Sequence, residues 1–122
     1  MVRAFNNREL EWIHKLLSSD FAGREILKKQ IEKSQASIEQ YYDYISIKFL
    51  CKETLEHYPY KVRVPIEMRA FQSNSAPILF LLHIVDGLVF ELEILTADSS
   101  KIDPNSICLD HVEFDIHKEV RR

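Results

Sequence analysis

The sequence predicts an α+β fold, with two N-terminal helices packed on a mostly antiparallel sheet of four to six strands that contains a central β-hairpin. The main observation is that two apolar runs, residues 78–85 and 88–95, flank Asp86 and Gly87. Apolar residues also recur at helical spacing near the N-terminus, and they alternate with polar residues in later segments. A chain of 122 residues with two Gly and four Pro is long enough for one core, so we expect a single domain over residues 1–122.

The first helix is predicted to begin after Asn6 or Asn7. Either residue can cap a helix, and Glu9, three residues after Asn6, completes a capping box. The apolar positions that follow at helical spacing are Leu10, Ile13, Leu16 and Leu17.

A second helix is predicted after residues 18–20. Its buried side is marked by Phe21, Ile26, Leu27 and Ile31, and its solvent side is basic. Two apolar helix stripes need a surface to cover, so we expect the pair to form a short helical hairpin on the core face of the sheet.

Strands are predicted from alternating patterns in residues 35–40, 44–51 and 60–68, the first as a short edge strand. Pro65 removes one donor from the third of these, so that strand is expected at an edge or at a bulge. Residues 72–75 are predicted to form a turn. The weakly alternating residues 107–117 are either a last strand or a loop, and residues 118–122 are expected to be mobile.

The hairpin around Asp86 and Gly87 is predicted to have a type I′ turn, because both turn positions need a positive φ. Val85 then pairs with Leu88, and pairing continues one residue for one residue along both runs. The face expected to be the core carries Leu79, Leu81, His83, Val85, Leu88, Phe90, Leu92 and Ile94. The opposite face, expected to be uncovered, carries Ile78, Phe80, Leu82, Ile84, Val89, Glu91, Glu93 and Leu95.

The C-terminal third of the chain is acidic, although the whole chain has a net charge of only -3. Residues 86–117 contain Asp86, Glu91, Glu93, Asp98, Asp103, Asp110, Glu113 and Asp115 against the single base Lys101. Such a region either keeps the protein soluble or speeds its encounter with a basic partner. We therefore predict partner-binding residues at Phe80, Leu82, Glu91, Glu93, Asp98 and Asp103. The partner is expected to be a basic protein rather than nucleic acid.

No pattern typical of an enzyme or of a metal site is present. Cys51 and Cys108 do not form a CxxC pair and are expected to be small buried side chains, and the chain has no Gly-rich phosphate loop or nucleophile motif. We predict no cofactor, no metal and no catalytic residues. The N-terminus lacks the apolar core of a signal peptide, and no apolar run is long enough to cross a membrane, so a cytoplasmic location is expected.

His83 supports an alternative. The expected register places it in the core, opposite Phe90 and away from Glu91 and Glu93, where a lone histidine is usually structural. A small ligand-binding protein or enzyme that uses His83 with nearby carboxylates nevertheless stays open, as does a homodimer formed through the uncovered sheet face.

Several motifs carry a family resemblance. They are Arg8-Glu9, Leu16-Leu17, Phe21, Gly23, Leu27, Gln30, Val64-Pro65-Ile66-Glu67, Leu81-Leu82-His83-Ile84-Val85-Asp86-Gly87-Leu88, Glu91-Leu92-Glu93-Ile94 and Asp98. They resemble a family of short uncharacterised bacterial proteins, a domain of unknown function whose hairpin reads LLHVVDGxLxELEIY. The resemblance covers about residues 8–102 and departs from the family at Leu95 and Ser99, where the family has Tyr and Gly.

The resemblance implies one intact small domain and names no activity. Proteins of this size and layout are similar to immunity proteins of bacterial toxin systems, by analogy of fold only. We therefore expect a non-enzymatic protein-binding module, and specifically an immunity protein that neutralises a cognate toxin.

Overall fold

The computed structural model describes residues 1–52, 54–72 and 76–122. In these residues, two α-helices cover one face of a single open antiparallel sheet of seven strands. The helices are α1 (Asn7–Leu16) and α2 (Arg24–Glu32). The strands are β1 (Val2–Arg3), β2 (Gln35–Gln40), β3 (Tyr44–Leu50), β4 (Ile66–Phe71), β5 (Ile78–Val85), β6 (Leu88–Thr96) and β7 (Cys108–Ile116). The α+β prediction is confirmed, but four to six strands is too few, because the two-residue β1 has no pattern that reveals it.

The strand order is β1-β2-β3-β6-β5-β4-β7, so the β5–β6 hairpin lies at the centre of the sheet. The predicted segment 35–40 forms β2, which β1 separates from the edge. The segment predicted at 60–68 forms a strand only from Ile66, directly after Pro65, and this strand lies between β5 and β7. The open question at residues 107–117 is resolved as a strand, β7. The predicted turn at 72–75 lies outside the described residues, apart from Gln72.

Both ends of the helical layer are anchored by specific contacts. The capping box forms as predicted, with Asn6 Oδ1 accepting from the Glu9 amide at 2.8 Å and Glu9 Oε1 accepting from the Asn6 amide at 3.0 Å. The helix α2 begins after Gly23. Val120, within the segment expected to be mobile, is fully buried, and its carbonyl accepts from the Ala22 amide at 2.8 Å.

The core lies between the helices and one face of the sheet. The face of β5 that carries Phe80 and Leu82 is the buried one: these side chains are 0% and 1% exposed, and the ring of Trp12 in α1 packs against Phe80 at 5.8 Å. The prediction that Phe80 and Leu82 are exposed is therefore wrong, and Leu79 and Leu81 face the other way. Because both faces of β5 are apolar, composition did not indicate which one the helices cover.

The hairpin has the predicted turn but not the predicted register. Asp86 and Gly87 have φ values of 51° and 79°, and Val85 pairs with Leu88 as expected. Pairing then shifts, because Ile84 opposes Val89 while His83 opposes Glu91. The extra residue at this β-bulge is Phe90, which is 41% exposed.

The bulge changes which side chains share a face. His83 lies on the same face as Glu91 and Glu93, rather than opposite Phe90 in the core, so the expected separation of the histidine from the carboxylates is wrong. Leu92 and Ile94 are buried as expected. No helix in the described part of the chain is both long and apolar enough to cross a membrane.

Candidate functional site

The face of the sheet opposite the helices, called the open face below, carries the candidate site. Neighbouring strands place its side chains in rows that run across the sheet. One row is Tyr44, Leu95, Leu79, Arg69 and Glu113. The next row is Glu39, Ser46, Glu93, Leu81, Glu67 and Asp115. A third row contains Ser37, Lys48, Glu91 and His83.

Three side chains form an apolar area at the centre of the open face. This leucine patch consists of Leu79, Leu81 and Leu95, each of which is partly exposed. Leu79 directly opposes Leu95, and Leu81 follows Leu79 on the same side of β5. Apolar side chains grouped on an uncovered sheet face make this area a candidate contact surface.

Carboxylates border the leucine patch on both sides of Leu81, which lies between Glu93 and Glu67. Those that the three rows place on the open face are Glu39, Glu67, Glu91, Glu93, Glu113 and Asp115. The same rows contain two permanently cationic side chains, Lys48 and Arg69. The open face therefore combines apolar area with an excess of negative charge.

His83 lies in a hydrogen-bonded chain on this face. Its Nδ1 accepts from Arg63 Nε at 3.1 Å, and its Nε2 lies 2.9 Å from Glu93 Oε1. Because Nδ1 accepts, the neutral ring carries its proton on Nε2 and donates it to Glu93. The Arg63 guanidinium also lies 5.8 Å from the centre of the Phe90 ring, which the bulge exposes.

Glu91 is held in the ionised state by its neighbours. Its Oε2 accepts from the Tyr44 hydroxyl at 2.7 Å and from the Ser46 hydroxyl. Burial alone would raise the pKa of Glu91, but these hydrogen bonds, with smaller contributions from the neighbouring His83 and Lys48 side chains, outweigh burial and lower it. Burial and the hydrogen bond to Glu91 raise the pKa of Tyr44 to about 12.

Both ring nitrogens of His83 are engaged by neighbouring side chains. A histidine acts as a base through a nitrogen that is free to take a proton, and both nitrogens of His83 already have partners. A concavity of about 550 Å³ near the hairpin turn is lined by residues 57–63 and 84–87, which include Arg63 but not His83. In the described ranges, no group of three or more His, Cys, Asp or Glu side chains is placed to hold a metal.

The six residues predicted to bind a partner lie in three separate places. Phe80 and Leu82 are in the core, and Glu91 and Glu93 are on the open face. The other two, Asp98 and Asp103, lie in the loop that follows β6.

Both loop carboxylates make local hydrogen bonds. The Asp98 carboxylate accepts from the Ser100 amide at 3.1 Å, and hydrogen bonds from Ser100 lower its pKa. Asp103 accepts from the Asn105 amide at 3.1 Å and so caps the short helical turn of residues 104–106. These contacts hold both carboxylates within the loop. The six residues predicted to bind a partner therefore do not form one surface.

Sequence reasoning placed Leu95, Glu91 and Glu93 on the uncovered face, but it missed the other members of that face. Leu79, Leu81, Glu67 and Asp115 share the open face, although β4 and β7 are distant in sequence from each other. The alternation in each strand was a usable signal, but it did not indicate which strands are neighbours.

The cysteines were also only partly predicted. Cys51 is partly buried, but Cys108 is exposed, because it lies at the start of the edge strand β7.

No protein-family model, no curated protein and no solved structure matches the chain. The resemblance to the bacterial family stays a prediction, and the function has to be argued from the open face.

Proposed function

We propose that the chain is a non-enzymatic protein-binding module that acts as an immunity protein, neutralising a cognate bacterial toxin. The observation that carries the proposal is the leucine patch on an uncovered sheet face, bordered by carboxylates on neighbouring strands. The partner would be a basic protein surface, as on many toxic nucleases, and neutralisation would follow from covering it. The proposal also places this action in the cytoplasm.

The open face has the dimensions of a protein interface. Strands in a sheet lie about 4.8 Å apart, so a seven-stranded sheet is about 29 Å wide. A standard interface buries about 800 Å² on each partner, which corresponds to a patch of similar width. The partly exposed leucines would supply its apolar centre, and the surrounding carboxylates would supply a polar rim.

The excess negative charge supports a basic partner and opposes self-association. Carboxylates on one face raise the rate of encounter with a positive surface, and this effect weakens as salt screens the charges. Two copies that met through their open faces would bring carboxylate against carboxylate. A homodimer through this face is therefore disfavoured, and sedimentation velocity at two concentrations tests for it directly.

The test uses the protein encoded by the adjacent upstream reading frame, whose C-terminal region the proposal expects to be a toxin domain. We expect a complex with this region in titration calorimetry, and we expect Leu81→Arg to weaken it at least tenfold, because the variant replaces apolar area with the partner's own charge. The matched control is Ile26→Arg, which changes a partly exposed apolar residue of α2, in the layer that covers the opposite face of the sheet. Absence of a complex with the unaltered chain would overturn the proposal.

A second candidate function is favoured by one observation, the 2.9 Å distance between His83 Nε2 and Glu93 Oε1. An imidazole oriented by a carboxylate is a common part of ligand-binding and acid–base sites. His83→Gln separates the two candidates: it should leave toxin binding within threefold of the unaltered chain, whereas a function that depends on the imidazole would be abolished.

A further inference from the structure

We infer that the partner's main anchor is an arginine side chain that lies over Leu81 and places its guanidinium between Glu67 and Asp115. The inference rests on the proposed function, in that it takes the partner to be a basic protein. It goes further by assigning the anchor to the β4–β7 side of the open face and to one type of side chain.

The first argument is the direct opposition of two carboxylates. Glu67 in β4 pairs with Asp115 in β7, so both side chains leave the same face of the sheet about 5 Å apart. Like charges placed directly opposite each other destabilise an antiparallel pair. The neighbouring pair in the same two strands is complementary, because Arg69 Nη1 lies 3.2 Å from Glu113 Oε1.

Arg121, the cation that pairs with Asp115, compensates this opposition only weakly. Arg121 Nη2 lies 3.9 Å from Asp115 Oδ1, and the two side chains are 62% and 72% exposed. An ion pair that is so long and so exposed contributes little. The Glu67–Asp115 pair therefore keeps negative charge that a partner cation can neutralise.

The second argument is the contrast with β6. Glu91 accepts hydrogen bonds from Tyr44 and Ser46, and Glu93 lies within hydrogen-bond distance of His83. The charge on that side is largely satisfied within the chain. A cation of the partner is therefore stabilised more by Glu67 and Asp115 than by Glu91 or Glu93.

The third argument is the apolar neighbour. Leu81 directly opposes Glu67 in the β4–β5 pair and is partly exposed, so the row reads Leu81, Glu67, Asp115. Strand spacing puts Glu67 about 5 Å and Asp115 about 10 Å from Leu81. A long basic side chain packs its methylene stem on apolar surface and holds its charged end beyond it. Arginine fits better than lysine, because its planar fork can donate to two carboxylates at once.

The free protein gives the first test. Glu67→Gln removes the repulsion, so we expect the thermal midpoint to rise by about 2 °C. The matched control is Glu113→Gln, which loses the pair with Arg69 and should not raise the midpoint. If Glu67→Gln lowers the midpoint, the pair is already compensated within the chain and the inference is overturned.

The second test uses defined peptides in a titration followed by amide NMR shifts. The peptide Arg-Leu-Arg-Leu-Arg should shift the amides of Glu67, Leu81 and Asp115, whereas Glu-Leu-Glu-Leu-Glu should not. The double variant Glu67→Gln/Asp115→Asn should lose these shifts, and Glu91→Gln should keep them. Absence of shifts with the basic peptide, shifts that persist in the double variant, or shifts centred on residues 98–103 would each overturn the inference.

The toxin region separates this inference from the proposed function. A complex that the double variant leaves unchanged would retain the proposed function and overturn the arginine anchor, and we expect instead at least a tenfold loss. If the unaltered chain forms no complex, the proposed function fails, and the peptide titration still decides whether this side of the open face takes an arginine.

Discussion

Truncation of the Gln30 side chain should loosen the central hairpin from the helical layer. Gln30 in α2 is 1% exposed, and its amide reaches the hairpin turn. Its Nε2 donates to the carbonyls of Glu56 at 2.8 Å and Gly87 at 2.9 Å, and its Oε1 accepts from the Val89 amide at 2.8 Å. These contacts hold the end of the hairpin next to the bulge. Gln30→Ala removes them, and it therefore weakens the strand register that places Glu91 on the open face.

The cost follows from what each partner loses. The Gly87 carbonyl keeps the Tyr58 amide as a donor at 2.8 Å, so its loss is small. The Val89 amide is left buried without an acceptor, which costs about 1–3 kcal/mol, and the lost bond to Glu56 adds about 1 kcal/mol. We expect Gln30→Ala to lower the free energy of unfolding by about 3 kcal/mol. At about 4 °C per kcal/mol for a chain of this length, the thermal midpoint falls by about 12 °C.

Chemical denaturation followed by circular dichroism measures this change. The matched control is Gln40→Ala, an exposed glutamine in β2, whose effect should stay within about 0.5 kcal/mol. A Gln30→Ala variant as stable as that control would refute the role of the side chain.

A second variant adds a pH signature. In Gln30→Glu, the carboxyl would be buried against two carbonyls, so its folded-state pKa would lie above its unfolded value. Stability present at low pH should therefore be lost as the pH rises above about 4.3, in the variant only.

Three further predictions concern the two faces of the sheet and the hairpin turn. Phe80→Ala should cost about 3–5 kcal/mol in denaturant unfolding, whereas Leu81→Ala should cost under 1 kcal/mol; equal costs would contradict the assignment of faces. Gly87→Ala should lower the free energy of unfolding by about 1–3 kcal/mol, because φ is +79° and a Cβ would lie 2.8 Å from His57 Cβ. An unchanged thermal midpoint would show that the turn does not need glycine at this position. The pKa of Glu91 is lowered on folding, so the Glu91 carboxylate contributes stability above about pH 4.5, and this stability is lost as the pH falls through the pKa of the folded state. Glu91→Gln should therefore make the stability of the protein less dependent on pH in the acid range of an unfolding–pH profile.

The local elements were predictable because their signals are short in range. The capping box at Asn6 and Glu9 depends on residues three apart, and the Asp86-Gly87 turn depends on two adjacent residues with positive φ. Each of these features depends on the chain within a few residues of itself.

The composition of the site was less predictable, because it depends on one residue of register. The Phe90 bulge moves Glu91 and Glu93 to the same face as His83, and no glycine or proline marks it in the sequence. The expectation of an apolar and acidic surface stays a prediction about function. Its apolar members change from Phe80 and Leu82 to the leucine patch.

The sequence by itself determined the fold class, the two helices, the strands from β2 to β6, the turn of the hairpin and the acidic character of the C-terminal third. Those properties follow from local backbone preferences and from composition, which need no knowledge of neighbouring strands. Only the tertiary structure decided which face of β5 the helices cover and that Glu67, Leu81 and Asp115 lie in one row. Both faces of β5 are apolar, so local preferences do not distinguish them. The packing of Trp12 on Phe80 determines which face is buried, and the pairing of β4 with β7 places Asp115 beside Glu67.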